Sequence, residues 1–309
     1  CFNVESEAEL RFINQVSSEL NVIAPVAIRV NPNVDAKTHK YISTGKSENK
    51  FGIDFEFIEN LYETASKELK NLELRGLQMH IGSQLSEVKP FVEAVQRVAP
   101  LAQKLKQKHD IKFFSIGGGI GIVYEDALAS GKDNWWQEKD QKKTPLTIEE
   151  YASEIVPILA PLGLKIMLEP GRLIVGNAGI LISKILYKKV GTAKTFAIAD
   201  AGMGDLIRPA LYQGHHDIVP IQNRSNENET VDIVGPICES GDFFAQDREL
   251  PKLEEGDLIG MLSSGAYGFV MASNYNSRTL PAEVLVSDKT HKLIRKRQTY
   301  EDLINGEDL

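Results

Sequence analysis

The chain has 309 residues, of which 42% are hydrophobic and 25% charged, and its formal net charge is −8. That length can bury a large core split over two domains, and the negative balance disfavours a nucleic-acid backbone or an anionic membrane surface as partner. Two cysteines cannot form a disulfide framework, and there is neither an apolar run of membrane-spanning length nor a signal-peptide pattern, so a reducing, cytoplasmic setting is expected.

In chain order, CFNVES reads as the end of an apolar strand with no methionine before it, and the expectation is that it continues a longer sequence. SEAELRFINQVSSEL follows as a helix with a capping box from Ser6 to Glu9. Up to about residue 175, further apolar strands (PVAIRVN, LRGLQMHIGS, IKFFSIGGG and LKIMLEPGR) alternate with amphipathic helices. DFEFIENLYETASKEL puts Ile58, Leu61, Tyr62, Ala65 and Leu69 on one face, and PFVEAVQRVAPLAQKLKQ does so with Phe91, Val95, Val98, Ala102 and Leu105. TIEEYASEIVPILAPLG opens on a box from Thr147 to Glu150. The polar stretch GKDNWWQEKDQKKTP (131–145) reads as a surface loop.

Strand–helix alternation predicts a parallel sheet with crossover helices. The carboxyl ends of its strands carry polar residues or glycines, the place where both barrels and open doubly wound sheets keep their chemistry. No GxGxxG with a downstream acid follows the first strand, which argues against a dinucleotide fold. Five units are visible where a closed (β/α)8 barrel has eight, and the other three are expected before Cys1. After residue 176 the runs GILISKILYKKVG, KTFAIADAG, HHDIVPI, ETVDIVGPI, GDLIGMLSSGAYG and PAEVLVSD predict a second, mainly β domain over 176–309.

Several strand ends could carry chemistry. Gly117, Gly118 and Gly119 would let backbone N–H groups approach a phosphate, or simply make a tight turn. In EPGR, Glu169 could hold a protonated pyridine nitrogen and Arg172 a phosphate or carboxylate, with Pro170 and Gly171 forcing the turn between them; a Glu169–Arg172 salt bridge is the plainer alternative. HIGSQ supplies His80, able to stack on a flat ring or merely to pack, and Ser83, able to bind phosphate. DAGMGDLIRPALY supplies Arg208 and Tyr212, and SSGAYGF supplies Tyr267 between small residues. His215 and His216 match no zinc spacing and read as a polar turn. GPICESGDFF sets Cys238 beside Glu239 at a glycine turn, where a free cysteine is by default a small buried hydrophobe. Together these residues suggest a phosphorylated cofactor other than a nucleotide.

The motifs FNVES, RVNP, STGKSENKFGI, HIGSQ, GGGIG, EPGR, DAGMGDLIRPALY, CESGD and GAYGFVMASNYNSR, in this order, resemble the pyridoxal-phosphate decarboxylases of the alanine-racemase-like fold. The resemblance runs to roughly residue 300 and implies an α/β (β/α)8 barrel of the alanine racemase type, here without its first units, plus a C-terminal mainly β domain. It implies pyridoxal 5′-phosphate as cofactor, bound by His80, Ser83, Gly117, Gly118, Gly119, Glu169, Pro170, Gly171, Arg172 and Tyr267, with His80 stacked on the ring and Glu169 on the ring nitrogen. Substrate would meet Arg172, Arg208, Tyr212, Glu239 and Tyr267, with Cys238 as proton donor, and the family's homodimer shares its active sites between subunits. No metal is expected. The implied reaction is decarboxylation of meso-2,6-diaminopimelate to lysine, since RPALY and the glutamate after the cysteine suit a zwitterionic tail. A related basic amino-acid or carboxynorspermidine-type decarboxylase, or a non-catalytic homologue, are the alternatives. The family's Schiff-base lysine lies in a motif like YAVKAN, which does not occur here, and Lys46 and Lys50 belong to a loop the family already has. The expectation is that upstream sequence carries that lysine and that this chain alone is inactive.

Overall fold

A computed structural model of the chain describes residues 1–35, 44–45, 50–128, 146–222 and 224–308. Lys46 and the 131–145 stretch, including Trp135 and Trp136, lie outside the described residues. The chain divides into two compact units, one within Cys1–Ile122 and Trp136–Leu173 and the other within Val123–Trp135 and Ile174–Leu309.

The first unit is a parallel sheet with crossover helices. Strands β1 (Phe2–Val4), β2 (Ala24–Asn31), β4 (Leu72–Gln78), β5 (Phe113–Ser115) and β6 (Lys165–Met167) lie side by side, and the two-residue β3 (Ile53–Asp54) pairs with β2 beyond its partner β1. β2 is buried on both faces except at Pro25, its run Val26–Ile28 fitting a sheet covered on two sides and its polar Arg29 and Asn31 buried towards the carboxyl end. Helix α1 (Glu7–Glu19) starts at Ser6, whose hydroxyl accepts from the Glu9 N–H at 3.1 Å. The return bond of the box goes one residue further back: the Glu9 carboxylate accepts from the N–H of Glu5 at 2.7 Å. Thr147 caps α4 (Ile148–Leu159) in the same way, through the Glu150 N–H.

The second predicted helix is shorter than its sequence pattern. Phe55–Phe57 form a single 3-10 turn, α2 runs over Ile58–Glu68, and Leu69 has left helical geometry while remaining buried. Ile58, Leu61, Tyr62 and Ala65 do form its inner face. In α3 (Lys89–His109), Phe91, Val95, Val98, Ala102 and Leu105 are all buried, and Asp110 ends it in the left-handed conformation.

The second unit is built on a mixed sheet in the order β11-β10-β8-β7-β12-β9. These strands are β7 (Leu181–Val190), β8 (Thr195–Ala199), β9 (Ile218–Pro220), β10 (Asn228–Val234), β11 (Phe243–Pro251) and β12 (Leu258–Met261). β10 and β8 are parallel and the other pairs antiparallel. β11 was not legible in the sequence. Its centre, AQDRE, breaks the alternation because the strand is bulged there: Asp247 takes a positive φ of 46° and gives its N–H to the Asp232 carboxylate at 2.6 Å. A separate hairpin, β13 (Glu283–Ser287) with β14 (Thr290–Arg295), precedes α7 (Tyr300–Leu303). Among the described residues no helix is long and apolar enough to cross a membrane.

Candidate active site

In the first unit, register brings polar residues together at the carboxyl ends of the strands. Arg29 pairs with Gln78, Gln78 with Ser115, and Ser115 with Met167, so one cross-strand row ends two residues short of Glu169. The Glu169 carboxylate accepts from the Ser115 hydroxyl at 2.5 Å, from the Gln78 amide at 3.3 and 3.2 Å, and from Asn3 Nδ2 at 3.5 Å. All three donors are neutral. The alternative reading of EPGR as an internal salt bridge is set aside: Arg172, buried at the head of the short helix α5 (Arg172–Val175), donates from Nη2 to the Ser83 hydroxyl at 3.2 Å.

His80 lies just past β4, and burial, aided by the charge of Arg29, pushes its pKa down to about 4. The ring is therefore neutral near pH 7, and its Nδ1 accepts from the Gly118 N–H at 3.3 Å. The glycine triplet is demanded by close approach. A Cβ on Gly118 would stand 2.3 Å from the carbonyl oxygen of Glu169, and one on Gly117, at φ +73°, 2.4 Å from that of Met79. Gly119, at φ +108°, is hemmed in the same way by Gly82. Gly171 differs: a Cβ there would meet nothing within 4 Å. Beside Pro170 in the exposed EPGR turn, it leaves open space next to the Arg172 and Ser83 pair.

This donor set fits a phosphorylated pyridine. It offers a carboxylate held by neutral groups for a ring nitrogen, an uncharged imidazole for a ring face, and an arginine, a hydroxyl and an unobstructed glycine for a phosphate. Among the described residues no cluster of three or more His, Cys, Asp or Glu could hold a metal ion.

In the second unit, the CESGD turn is organised by Asp242, which is buried and whose pKa burial raises. Its carboxylate accepts from the N–H groups of Ile237 and Met203, both at 2.6 Å. A Cβ on Gly235 would be 2.4 Å from that carboxylate, so the turn admits no side chain there. Cys238 and Glu239 are consequently held outward, and both are exposed. The plainer alternative for Cys238, a small buried hydrophobe, is not what the structure shows. Glu239 accepts from the Tyr275 hydroxyl at 2.7 Å, a bond that raises the tyrosine pKa. Tyr267, 41% exposed, has a left-handed φ of +57°, uncommon for an aromatic residue and of the kind that concentrates at functional sites.

Arg208 is buried at the start of α6 (Arg208–Tyr212), with Tyr212 half-buried at its end. Its guanidinium lies over the Tyr124 ring at 4.1 Å and its Nη1 is 2.7 Å from His216 Nε2. The sequence reading of His215 and His216 as a polar turn is corrected here: His216 is 1% exposed and bound on both ring nitrogens. Gln78, Ser115, Asp242 and Tyr275 all escaped the sequence reading. The available signal was a polar residue within an otherwise apolar run, as in LRGLQ and KFFS.

Comparisons with known proteins agree with this chemistry. Residues 1–176 match the family described as pyridoxal-dependent decarboxylase, pyridoxal binding domain. The chain is similar to the diaminopimelate decarboxylase of Aquifex aeolicus, 46% identical over 98% of this chain and 69% of that protein. Among solved structures it is similar to diaminopimelate decarboxylase from Helicobacter pylori complexed with L-lysine (43% identity, TM-score 0.88, 98% of this chain and 72% of that one). It is also similar to the enzyme of that name from M. jannaschii in co-complex with L-lysine (39% identity, TM-score 0.88, 100% and 69%).

Proposed function

Since the chain belongs to the pyridoxal-dependent decarboxylase family, we propose that it decarboxylates meso-2,6-diaminopimelate to L-lysine and carbon dioxide, with pyridoxal 5′-phosphate as cofactor. The observation that carries this reading is the Glu169 carboxylate, presented at a strand end by Ser115, Gln78 and Asn3. The bound cofactor supplies an electron sink for the pair left when carbon dioxide departs. Glu169 keeps a proton on the ring nitrogen, and neutral His80 covers a ring face without adding charge beside it. Gly117–Gly119, Ser83, Pro170, Gly171, Arg172 and Tyr267 hold the phosphate end.

The chain's remaining tasks are selection and proton return. Arg172, Arg208 and Tyr212 take a substrate carboxylate, and Glu239 takes the ammonium at the far stereocentre. The Cys238 thiol, exposed on its turn, returns a proton to the carbon that lost the carboxyl group. In this reading most cofactor contacts come from residues 1–175 and most substrate and partner contacts from 176–309, with Tyr267 and Arg172 each serving across that division. Exposure of Cys238 and Glu239 on an outward turn supports a homodimer in which each subunit completes the other's site, in a cytoplasmic enzyme.

The test is carbon dioxide release by the holoenzyme in its full natural chain. Turnover of meso-2,6-diaminopimelate, with ornithine and lysine poor substrates, is the expected result. Preference for ornithine or lysine would transfer the chain to the basic amino-acid decarboxylases, and no turnover of any of them would leave a non-catalytic homologue.

A further inference from the structure

We infer that His216 is a positioning residue that sets selectivity for the substrate's carboxylate by aiming Arg208; this rests on the reading that Arg208 binds that carboxylate. The tautomer follows from the partners. A carbonyl oxygen can only accept, so His216 Nδ1, 2.7 Å from the Leu262 oxygen, carries the hydrogen. A guanidinium can only donate, so Nε2, 2.7 Å from Arg208 Nη1, presents its lone pair. His216 is therefore a neutral acceptor that orients the guanidinium without bringing a counter-charge to it.

The neighbouring geometry limits the same guanidinium from other sides. Its flat face rests on the Tyr124 ring, and that ring meets His216 edge-on with centroids 5.2 Å apart. A Cβ on Gly214 would come 3.3 Å from Arg208 Nη2, so glycine leaves the fork its room. The residues flanking His216 are clamped in turn. The His215 ring lies between Arg248 and Asp217 at 3.1 and 2.9 Å, and Asp217 accepts from the Ala127 N–H at 2.6 Å. The His216 carbonyl itself accepts from Arg248 Nη1 at 3.1 Å, and the Asp217 carbonyl accepts from the Leu262 N–H. The ring thus has a fixed base from which to direct an arginine whose planar fork recognises a carboxylate only in the right orientation.

The experiment compares two ligands on the cofactor-loaded, full natural chain by calorimetry: L-lysine, which has a carboxylate, and 1,5-diaminopentane, which does not. His216→Asn keeps a donor for Leu262 but withdraws the acceptor from Arg208, whereas His216→Gln can place an oxygen near the Nε2 position. Expected is a weakening of L-lysine binding by about tenfold in H216N, a change under about threefold for the diamine, and near wild-type binding of both in H216Q. Arg208→Lys should weaken L-lysine at least as much. If R208K does so while H216N binds L-lysine like the wild type, the inference is overturned and the reading of Arg208 stands. If R208K leaves L-lysine binding unchanged, the reading of Arg208 falls and the inference with it. Equal weakening of both ligands in H216N would show a general packing role and overturn the selective one. Should H216N not fold, His216→Met, of similar bulk and with no comparable acceptor, is read against the same ligands.

Discussion

The Ser115 hydroxyl and the Glu169 carboxylate, 54 residues apart, meet at 2.5 Å across the ends of two neighbouring parallel strands. The bond consumes part of the carboxylate's accepting capacity with a neutral donor, leaving its charge uncompensated by that partner. Ser115→Ala should lower kcat about three- to tenfold, the scale of one ordinary hydrogen bond, since Gln78 and Asn3 still hold the carboxylate. Glu169→Gln should lower it by about a hundredfold or more, because a neutral amide no longer favours the protonated ring nitrogen. Steady-state kinetics with cofactor saturation checked by absorbance decides between them; equal effects would remove Glu169 from its assigned role.

His80 predicts an acid limit to the stability of the cofactor-free protein. Its folded pKa of about 4 lies below the ordinary histidine value of 6.5, so between those pH values the unfolded chain binds the extra proton. Stability contributed at His80 is then fully present above about 6.5 and is lost as pH falls toward 4. The slope from this group approaches about 1.4 kcal/mol per pH unit in the middle of that window, one proton's worth. Urea unfolding from pH 7 to 4.5 should show His80→Asn with a slope smaller by up to that amount.

Gly118→Ala and Gly171→Ala form a contrasting pair. The first drives a Cβ to 2.3 Å from the Glu169 carbonyl and should destabilise the protein by about 2–4 kcal/mol. The second meets nothing within 4 Å and should leave stability within about 0.5 kcal/mol. If Gly171 borders the phosphate, its alanine variant should nevertheless bind pyridoxal phosphate more weakly, measured by fluorescence titration. Unchanged affinity would place the phosphate elsewhere.

Cys238 is exposed, so alkylation should reach it in the native fold. In a Cys1→Ser background, which removes the other exposed thiol, one equivalent of iodoacetamide should abolish turnover. Cys238→Ala should reduce kcat by about a hundredfold or more while KM changes little, as loss of a proton donor requires. A rise in KM with kcat preserved would assign Cys238 to binding.

Tyr275→Phe removes the hydroxyl that holds Glu239 at 2.7 Å and leaves the ring. KM for meso-2,6-diaminopimelate should rise about three- to tenfold, and discrimination against the LL isomer should narrow. Selectivity unaltered in a competition assay would show that Glu239 is positioned without Tyr275.

Local chemistry made much of this protein legible in the sequence. Strands β1, β2, β4, β5 and β6 show as apolar runs, and the buried face of α3 shows as a helical repeat, because burial acts on each segment's own periodicity. Strand-end residues such as His80, Glu169 and Gly118 were visible for the same reason: a polar residue or a glycine at the end of an apolar run is a local event. β11 was hidden because its bulge exchanges alternation for a bond to Asp232.

Other features were decided only by tertiary structure. That Gln78 and Ser115 flank Glu169 depends on the register of neighbouring strands, over separations of 91 and 54 residues for which no neighbouring residue carries a signal. The outward turn of Cys238 depends on a carboxylate buried beneath it that also binds Met203. The two adjacent histidines read as a polar turn until tertiary packing placed one against Arg208 and the other beside Arg248. Composition and period report what a segment must bury; which distant polar group answers it is settled when the chain closes on itself, because hydrogen-bond partners are chosen by space rather than by sequence distance.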